Sequence, residues 1–527
     1  MAPRRKAPAK TDQADTTDAD ATPSTSQMVL RSRPGEKRKL PAPKVEAKRS
    51  RKTTPKCQPE PEKSSPKAGT GHFSQLPIEL LANVLEYLNI NDLISMEFVN
   101  RRCYKVARQY VWPKITALDH ETLIKNTRMP ELDLVNTRFH MRRWYIYKKK
   151  RQPINDKFVK LILSRTNLIK LDLACYPEHL TYNLGSFAYM APALKHLDLS
   201  LIQLTNKSLK TIARYCQQLE VVILEQCFTN NRAENGLSVF FTKLKKLKIL
   251  NLAENNRFYG DSLKDVTPGL KYLSIANCYN VQSAVLDQLS LRVPNLEALI
   301  IDNHDGIRAN SVNIWLTRFK KLKLLELSNV CNQAGEHEPL DFRHLKDLEM
   351  LTGVYNPQFK ESTFVSLRNS PKLRSLDITF SRWMTPIGLE ELCKLKQLRC
   401  LNLFHSTFYG NDGTVNIKPL FTELQLEYLN LNDCHQFNKY HVASGLYHNK
   451  TLKVCELVSP IKMYKEIFHH LYTEHPNKPN GPELTVVVEK MTNLRKIPSW
   501  MNAVRYDNPA DRAAFTNTRD WRHIYPA

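Results

Sequence analysis

A six-residue phrase, Leu-x-x-Leu-x-Leu in its clearest form, recurs through most of this chain. It reads Leu168-Ile-Lys-Leu171-Asp-Leu173, then Leu194-Lys-His-Leu197-Asp-Leu199, and returns from Leu219, Leu247, Leu270, Leu296, Leu322, Leu348, Leu373, Leu398, Leu426 and Leu452. Successive spacings are 26, 25, 28, 23, 26, 26, 26, 25, 25, 28 and 26 residues. Such regularity excludes chance and dictates a stacked architecture. One unit cannot bury its own apolar edge; stacked units share a continuous core and expose a long curved surface. Strand alternation sends the third and fifth residues of each phrase outward, while the first, fourth and sixth face the core. Between phrases lie helix-like stretches such as Leu204 to Cys216. The expected fold is an α/β solenoid.

The period lies in the leucine-rich-repeat range, so residues 168–457 are read as a leucine-rich-repeat horseshoe. Three repeats place cysteine three residues after the phrase, at Cys227, Cys278 and Cys434, and Cys216 precedes Leu219. The chain therefore resembles the cysteine-containing class of leucine-rich repeat, although Asn255, Ser381 and Ser406 take that position elsewhere. The resemblance implies cysteines that point inward as small apolar fillers. Eleven cysteines with no Cys-x-x-Cys pair argue against zinc or dithiol chemistry and fit a reducing compartment. No cofactor is expected.

Ahead of the repeats, composition changes abruptly at Phe73. Apolar residues at Pro77, Ile78, Leu81, Val84, Leu85 and Leu88 follow one helix face. Asn89-Ile-Asn-Asp92 breaks the pattern, and Asp92 is placed to cap a second helix carrying Leu93, Ile94, Met96, Val99 and Val106. Tyr110-Val-Trp112-Pro113 closes a unit too small to be robust alone, with apolar surface left over for docking. Leu76-Pro77-x-Glu79-Leu80-Leu81, Val84-Leu85, Leu88, Asp92-Leu93, Val99 and Trp112 resemble an F-box, spanning residues 73–115. Asn100 and Cys103 depart from the family, which usually has Cys and Trp there. The resemblance implies docking to a Skp-type adaptor through Leu76, Pro77, Ile78, Leu80, Leu81, Val84 and Leu85. Through that adaptor it implies a cullin and a RING subunit, and so a non-catalytic substrate receptor of a ubiquitin ligase.

Lys and Arg outnumber Asp and Glu by 77 to 52. Residues 1–72 hold 17 basic and 8 acidic side chains and few large apolar ones, so this tail is expected to be disordered. Lys37-Arg38-Lys39 and Lys48-Arg49-Ser-Arg51-Lys52 suit nuclear import, which places the protein in the nucleus with the cytoplasm as a second compartment. Thr54-Pro55 and Ser65-Pro66 are sites where phosphorylation would lower the tail's charge. The junction, residues 116–167, contains Met141-Arg-Arg-Trp144-Tyr-Ile146, read as a degenerate earlier repeat. The basic and aromatic mixture from Arg138 to Arg151 serves either as a solvated cap or as a nucleic-acid contact. No apolar run is long enough to span a bilayer, and the N-terminus lacks a secretory core.

The fifth positions of the phrases include Asp172, Asp198, Glu326, Asp377 and Glu456 and no basic residue, which disfavours nucleic acid on the concave sheet. Lys195, Lys248, Lys271, Lys323, Arg374, Arg399 and Lys453 occupy second positions. Val221, Ile249, Tyr272, Leu324 and Met350, with Ile223 and Ile300, predict an apolar band for a protein substrate, with inter-strand packing as the competing reading. Phe380, Trp383, Met384, Phe404, His405, Phe408 and Tyr409 mark a second candidate rim. Residues 458–527 are expected to hold a helix from Tyr464 to Leu471, a last strand near Glu483–Val488 and an aromatic tail folded back on the solenoid. His469, His470 and His475 lack metal-ligand spacing and are read as surface residues.

Overall fold

The computed structural model describes residues 75–118, 161–174, 184–229, 234–304, 306–331, 338–380, 384–408, 415–434, 436–458, 463–477, 483–488 and 497–505. The tail at 1–72 with both basic clusters, the 138–151 cluster and residues 506–527 lie outside them.

The described chain opens with α1 (Ile78–Glu86), α2 (Ile90–Glu97) and α3 (Arg101–Val106). Pro77 stands just before α1, where a missing N–H costs nothing, and its carbonyl accepts the Leu81 N–H at 3.0 Å. The sequence places Asp92 at the cap of one helix reaching Val106; the structure has two helices, each capped by asparagine. Asn89 accepts the Asp92 N–H at 2.9 Å and Asn100 the Cys103 N–H at 2.8 Å, satisfying amides that a helix start leaves unpaired. Asn100, where the sequence departs from the family, is thus a cap. A π turn and a 3-10 turn deliver Trp112 into a core with Leu81, Leu85, Leu93, Cys103 and Val106.

Fifteen strands form one parallel sheet in strict sequence order, from Ala117–Leu118 to Met501–Arg505. Register follows the phrase: fourth positions Leu171, Leu197, Val222 and Leu250 pair in succession. The first strand emerges directly from the helical unit, with Ala117 and Leu118 pairing with Lys170 and Leu171. Met141–Ile146, read as an earlier degenerate repeat, lies outside the described residues. At the far end the expected helix (Met463–Glu474) and strand (Leu484–Val488) are present. A further strand, Met501–Arg505, pairs along all of Leu484–Val488. Its neighbour Trp500 donates its indole N–H to the His475 carbonyl at 3.1 Å, so this part of the aromatic tail does fold back.

Six of the strands end by the same device. Asp172, Asp198, Asn251, Asp377, Asn402 and Asn430 accept the backbone N–H two residues on, closing Asx turns. The fifth-position carboxylates therefore finish strands as well as colouring the surface. Three residues beyond the fifth position the backbone is left-handed, with φ between 51° and 67° from Leu201 to Asp433. That conformation turns the N–H toward the next repeat: Gln226 donates to Ala253 at 3.1 Å, Asn277 to Asp302 and Phe380 to Phe404 at 2.8 Å. These bonds offset a cost of about 1–2 kcal/mol for a non-glycine residue.

The following position carries the cysteines. The Sγ of Cys227, Cys278 and Cys434 donates to the carbonyls of Leu199, Leu252 and Leu403 at 3.1, 3.0 and 2.9 Å. Asn255 and Asn356 donate to Leu224 and Leu327 in the same way. Where the column holds Cys or Asn it supplies a small donor, which corrects the expectation that the cysteines are purely apolar fillers, while Ile202 and Val330 fill the same position without one. Burial pushes the Cys278 and Cys434 thiols up to about 12, and the thiolate is the reactive form. Iodoacetamide at pH 8 is expected to spare both in the native protein and label both after denaturation; native labelling in a peptide map would contradict this packing.

One repeat breaks the phrase. Gly353 stands at a sixth position otherwise filled by a large apolar residue, and a Cβ there would lie 2.3 Å from the Phe359 ring. Phe359 is buried beside Phe342 and occupies the missing side chain's volume. Gly353→Ala should lower stability by about 1–3 kcal/mol through overpacking. The denaturant midpoint reads it, and an unshifted midpoint would refute the close approach.

Candidate functional site

Helix α1 divides the seven residues assigned to adaptor docking. Leu81 and Leu85 are 1% and 0% exposed, and Leu76 packs partly buried against the same core. They hold the unit together and offer a partner little surface, which corrects their assignment: periodicity locates an apolar stripe without saying which half of it faces inward. Pro77, Ile78, Leu80 and Val84 are exposed. So are Tyr87, Phe98 and Val99, with Phe98 at 81%. Phe98 and Val99 occupy the link between α2 and α3, so Val99, expected on the apolar face of a continuous helix, is exposed instead, and Phe98 carries no signal in the sequence. Large apolar groups left in water at this density mark a partner site.

This face is fastened to the repeats through Glu97. Its carboxylate, buried, accepts the Trp112 indole N–H at 2.7 Å and the Arg165 guanidinium at 2.9 Å, and pairs with Arg108 at 2.8 Å. Arg165 stands three residues before the first phrase, so one carboxylate ties the helical unit to the solenoid. Burial would raise the Glu97 carboxyl, but the Arg165 hydrogen bond and charge, with Arg108 and Trp112, outweigh it and hold it below its ordinary value.

The concave band is only partly a surface. Ile249, Tyr272, Ala298, Ile300 and Leu324 form a cluster separate from the main core, flanked by Val221, Ala276 and Met350. Its five members are all buried, Tyr272 at 1% exposure. Side chains of adjacent parallel strands on the inside of a curve cover one another, so inter-strand packing accounts for Ile249, Tyr272, Ile300 and Leu324. Val221, Ile223 and Met350 remain half-buried at its margin.

The second rim also divides. Met384 and Phe408 are buried and bridge each other's strand ends, while Trp383 and Tyr409 lie outside the described residues. Phe380, Phe404 and His405 do line the strand-end edge, joined by Tyr355. Tyr355 stacks on Phe380 at 3.9 Å between ring centroids, Phe380 lies 4.7 Å from His405, and Phe404 meets Phe380 edge-on at 5.3 Å. Earlier repeats fill the same edge with amides: Asn303 donates to Asn277 at 2.5 Å and Asn329 to Asn303 at 2.7 Å.

The two edges of the sheet differ in charge. The five residues ending at each second position carry sixteen Lys or Arg against six Asp or Glu across the twelve phrases. Some are interleaved: Glu220 lies between Lys195 and Lys248, Glu297 between Lys271 and Lys323, and Lys453 meets Glu427. The four residues from each fifth position carry nine Asp or Glu and no Lys or Arg. The leading edge, where strands start, is basic; the trailing edge is acidic. Among the described residues no group of three or more His, Cys, Asp or Glu could hold a metal ion, and no helix is long and apolar enough to cross a membrane. His475 stacks on Tyr447 at 3.9 Å, with His470 edge-on at 6.1 Å.

The described residues thus hold a helical unit with exposed apolar side chains, fastened through Glu97 to a curved repeat array. Residues 73–113 match the family model for the F-box domain, so an F-box domain precedes the curved leucine-rich-repeat sheet. A curated Caenorhabditis elegans protein, "Putative RNA-binding protein EEED8.10", is 21% identical over 370 residues, covering 65% of this chain and 48% of the relative. The chain thus spans about half the length of the curated relative it matches. Among solved structures, the TLR13–ssRNA13 complex aligns at 20% identity over 56% of this chain and 44% of that one, with a TM-score of 0.38. The yeast Rad7 and Elc1 complex aligns at 17% identity over 65% and 78%, with a TM-score of 0.39.

Proposed function

We propose that this chain is the substrate-recognition subunit of a Skp–cullin–F-box ubiquitin ligase. The observation that carries this reading is the exposed apolar set on the F-box domain, Pro77, Ile78, Leu80 and Val84 with Phe98 and Val99. F-box domains bind Skp-type adaptors, and these side chains keep large parts of their apolar surface exposed. The repeats would hold a protein substrate, and the Glu97 fastening would keep it at a set distance from the ubiquitin carrier. Proximity makes a bimolecular transfer effectively unimolecular, so the chain itself needs no catalytic group. The column at Cys227, Cys278 and Cys434 supports the cysteine-containing class of repeat, and the tail's basic clusters support a nuclear site of action. Affinity purification with the proteasome blocked, beside a docking-face variant, tests the assignment. Adaptor and cullin recovered with the wild type alone support it; their absence from both refutes it.

A second reading is nucleic-acid binding along the leading edge, favoured by its basic excess and by the likeness to a Caenorhabditis elegans protein described as a putative RNA-binding protein. Contact with several phosphates would make affinity fall steeply with salt. Retention on an oligonucleotide column at low salt, lost at physiological salt and in Lys245→Glu/Lys246→Glu, would support it.

A further inference from the structure

We propose that the trailing edge of the solenoid binds an extended Lys- or Arg-rich segment of a partner protein, with the ladder Tyr355–Phe380–His405 receiving its cationic side chains. The proposal rests on the reading of the repeats as a receptor and names the class of substrate it takes.

Charge selects the partner. Nine carboxylates and no Lys or Arg occupy the stretches that form this edge. Asp302, Glu326 and Asp433 are half-buried there rather than sunk in the core. Asp198, Asp377 and Glu456 are buried, so the exposed part of this charge comes from the remaining carboxylates, and their sign repels a polyanion and draws a polycation.

The ladder supplies the contact. Tyr355, Phe380 and His405 each sit in the left-handed slot, at φ of 54°, 59° and 53°. Asparagine fills the same slot at 277, 303 and 329 and suits that backbone better. The fold therefore does not call for aromatic rings at these three positions. Tyr355 is 49% exposed and His405 is exposed, so the stacked rings face water at the edge. Within the ladder's own repeats the one carboxylate, Asp377, is buried, and the half-buried Glu326 and Asp433 flank the rings from the adjacent repeats; aromatic faces attract guanidinium and ammonium groups through the ring quadrupole. Strain and exposed aromatics coinciding at one place are what a binding site displays.

The test uses the full chain and fluorescence anisotropy of three labelled probes: a Lys/Arg-rich peptide, a Glu-rich peptide of equal length and a single-stranded oligonucleotide. The basic peptide should bind, and Tyr355→Asn/Phe380→Asn should weaken it by about ten-fold. That variant installs the residue the backbone already accepts three times on this edge, so folding is preserved. Lys245→Glu/Lys246→Glu on the leading edge should leave the peptide's affinity unchanged. Equal binding by the asparagine variant, or binding of the Glu-rich peptide or the oligonucleotide in place of the basic peptide, overturns the proposal. Adaptor capture is read separately on the same proteins. Loss of peptide binding with capture intact defeats this inference alone; peptide binding with no capture defeats the ligase reading and leaves the edge assignment standing.

Discussion

Leu80→Arg with Val84→Arg is expected to reduce affinity for a Skp-type adaptor by more than about 100-fold, since two central apolar contacts typically carry 2 kcal/mol or more each. Both side chains project from α1 into solvent, so the variant should unfold at the same denaturant concentration as the wild type. Leu81→Ala behaves oppositely. Leu81 is part of the core around Trp112, and truncation there costs about 2–5 kcal/mol through lost burial and a cavity. It would lose adaptor binding by melting the domain, which says nothing about contact. Adaptor affinity by calorimetry beside a circular-dichroism melt separates the two cases. Undiminished affinity of the arginine variant would remove α1 from the docking face.

Glu97→Ala should destabilise the junction by about 3–5 kcal/mol, the usual consequence of stranding a buried partner charge. The Arg165 side chain is only 6% exposed and would lose its carboxylate, while the Trp112 indole would lose its acceptor. The readout is hydrogen exchange: amides of α2, α3 and residues 161–171 should open together, while those beyond Leu219 stay protected. The same pair predicts an acid transition. Glu97 titrates below its ordinary 4.5 when folded, so its contribution is complete above that pH and is lost as pH falls through the lower folded value. Glu97→Gln should flatten that acid limb; a wild-type and Gln variant with parallel pH–stability curves would show that the carboxylate plays no such role.

Much of this architecture was readable because a repeat states its pattern twelve times. The phrase set the strand positions, the register and the inward residues, and Gly353 stands out because the pattern names what is missing. The F-box helices were legible from spacing, although α2 and α3 ran together because Asn100 is a weak signal amid apolar neighbours. Two strands escaped notice. Ala117–Leu118 is too short to show alternation, and Met501–Arg505 follows a stretch that departs from the period.

Burial separates what the sequence determined from what only the folded chain decided. Sequence determined which residues share a stripe: Ile78 with Leu81, Tyr272 with Ile300, Phe380 with His405. It could not say which members of a stripe meet water, because that depends on what other elements bring alongside. Trp112 and the short helices close over Leu81 and Leu85 and leave Ile78 out. Neighbouring strands close over Tyr272, whereas the left-handed turn at each strand end carries Tyr355, Phe380 and His405 past the sheet to the edge. Apolarity is a property of a residue; exposure is a property of its neighbours, and those are assembled only in three dimensions.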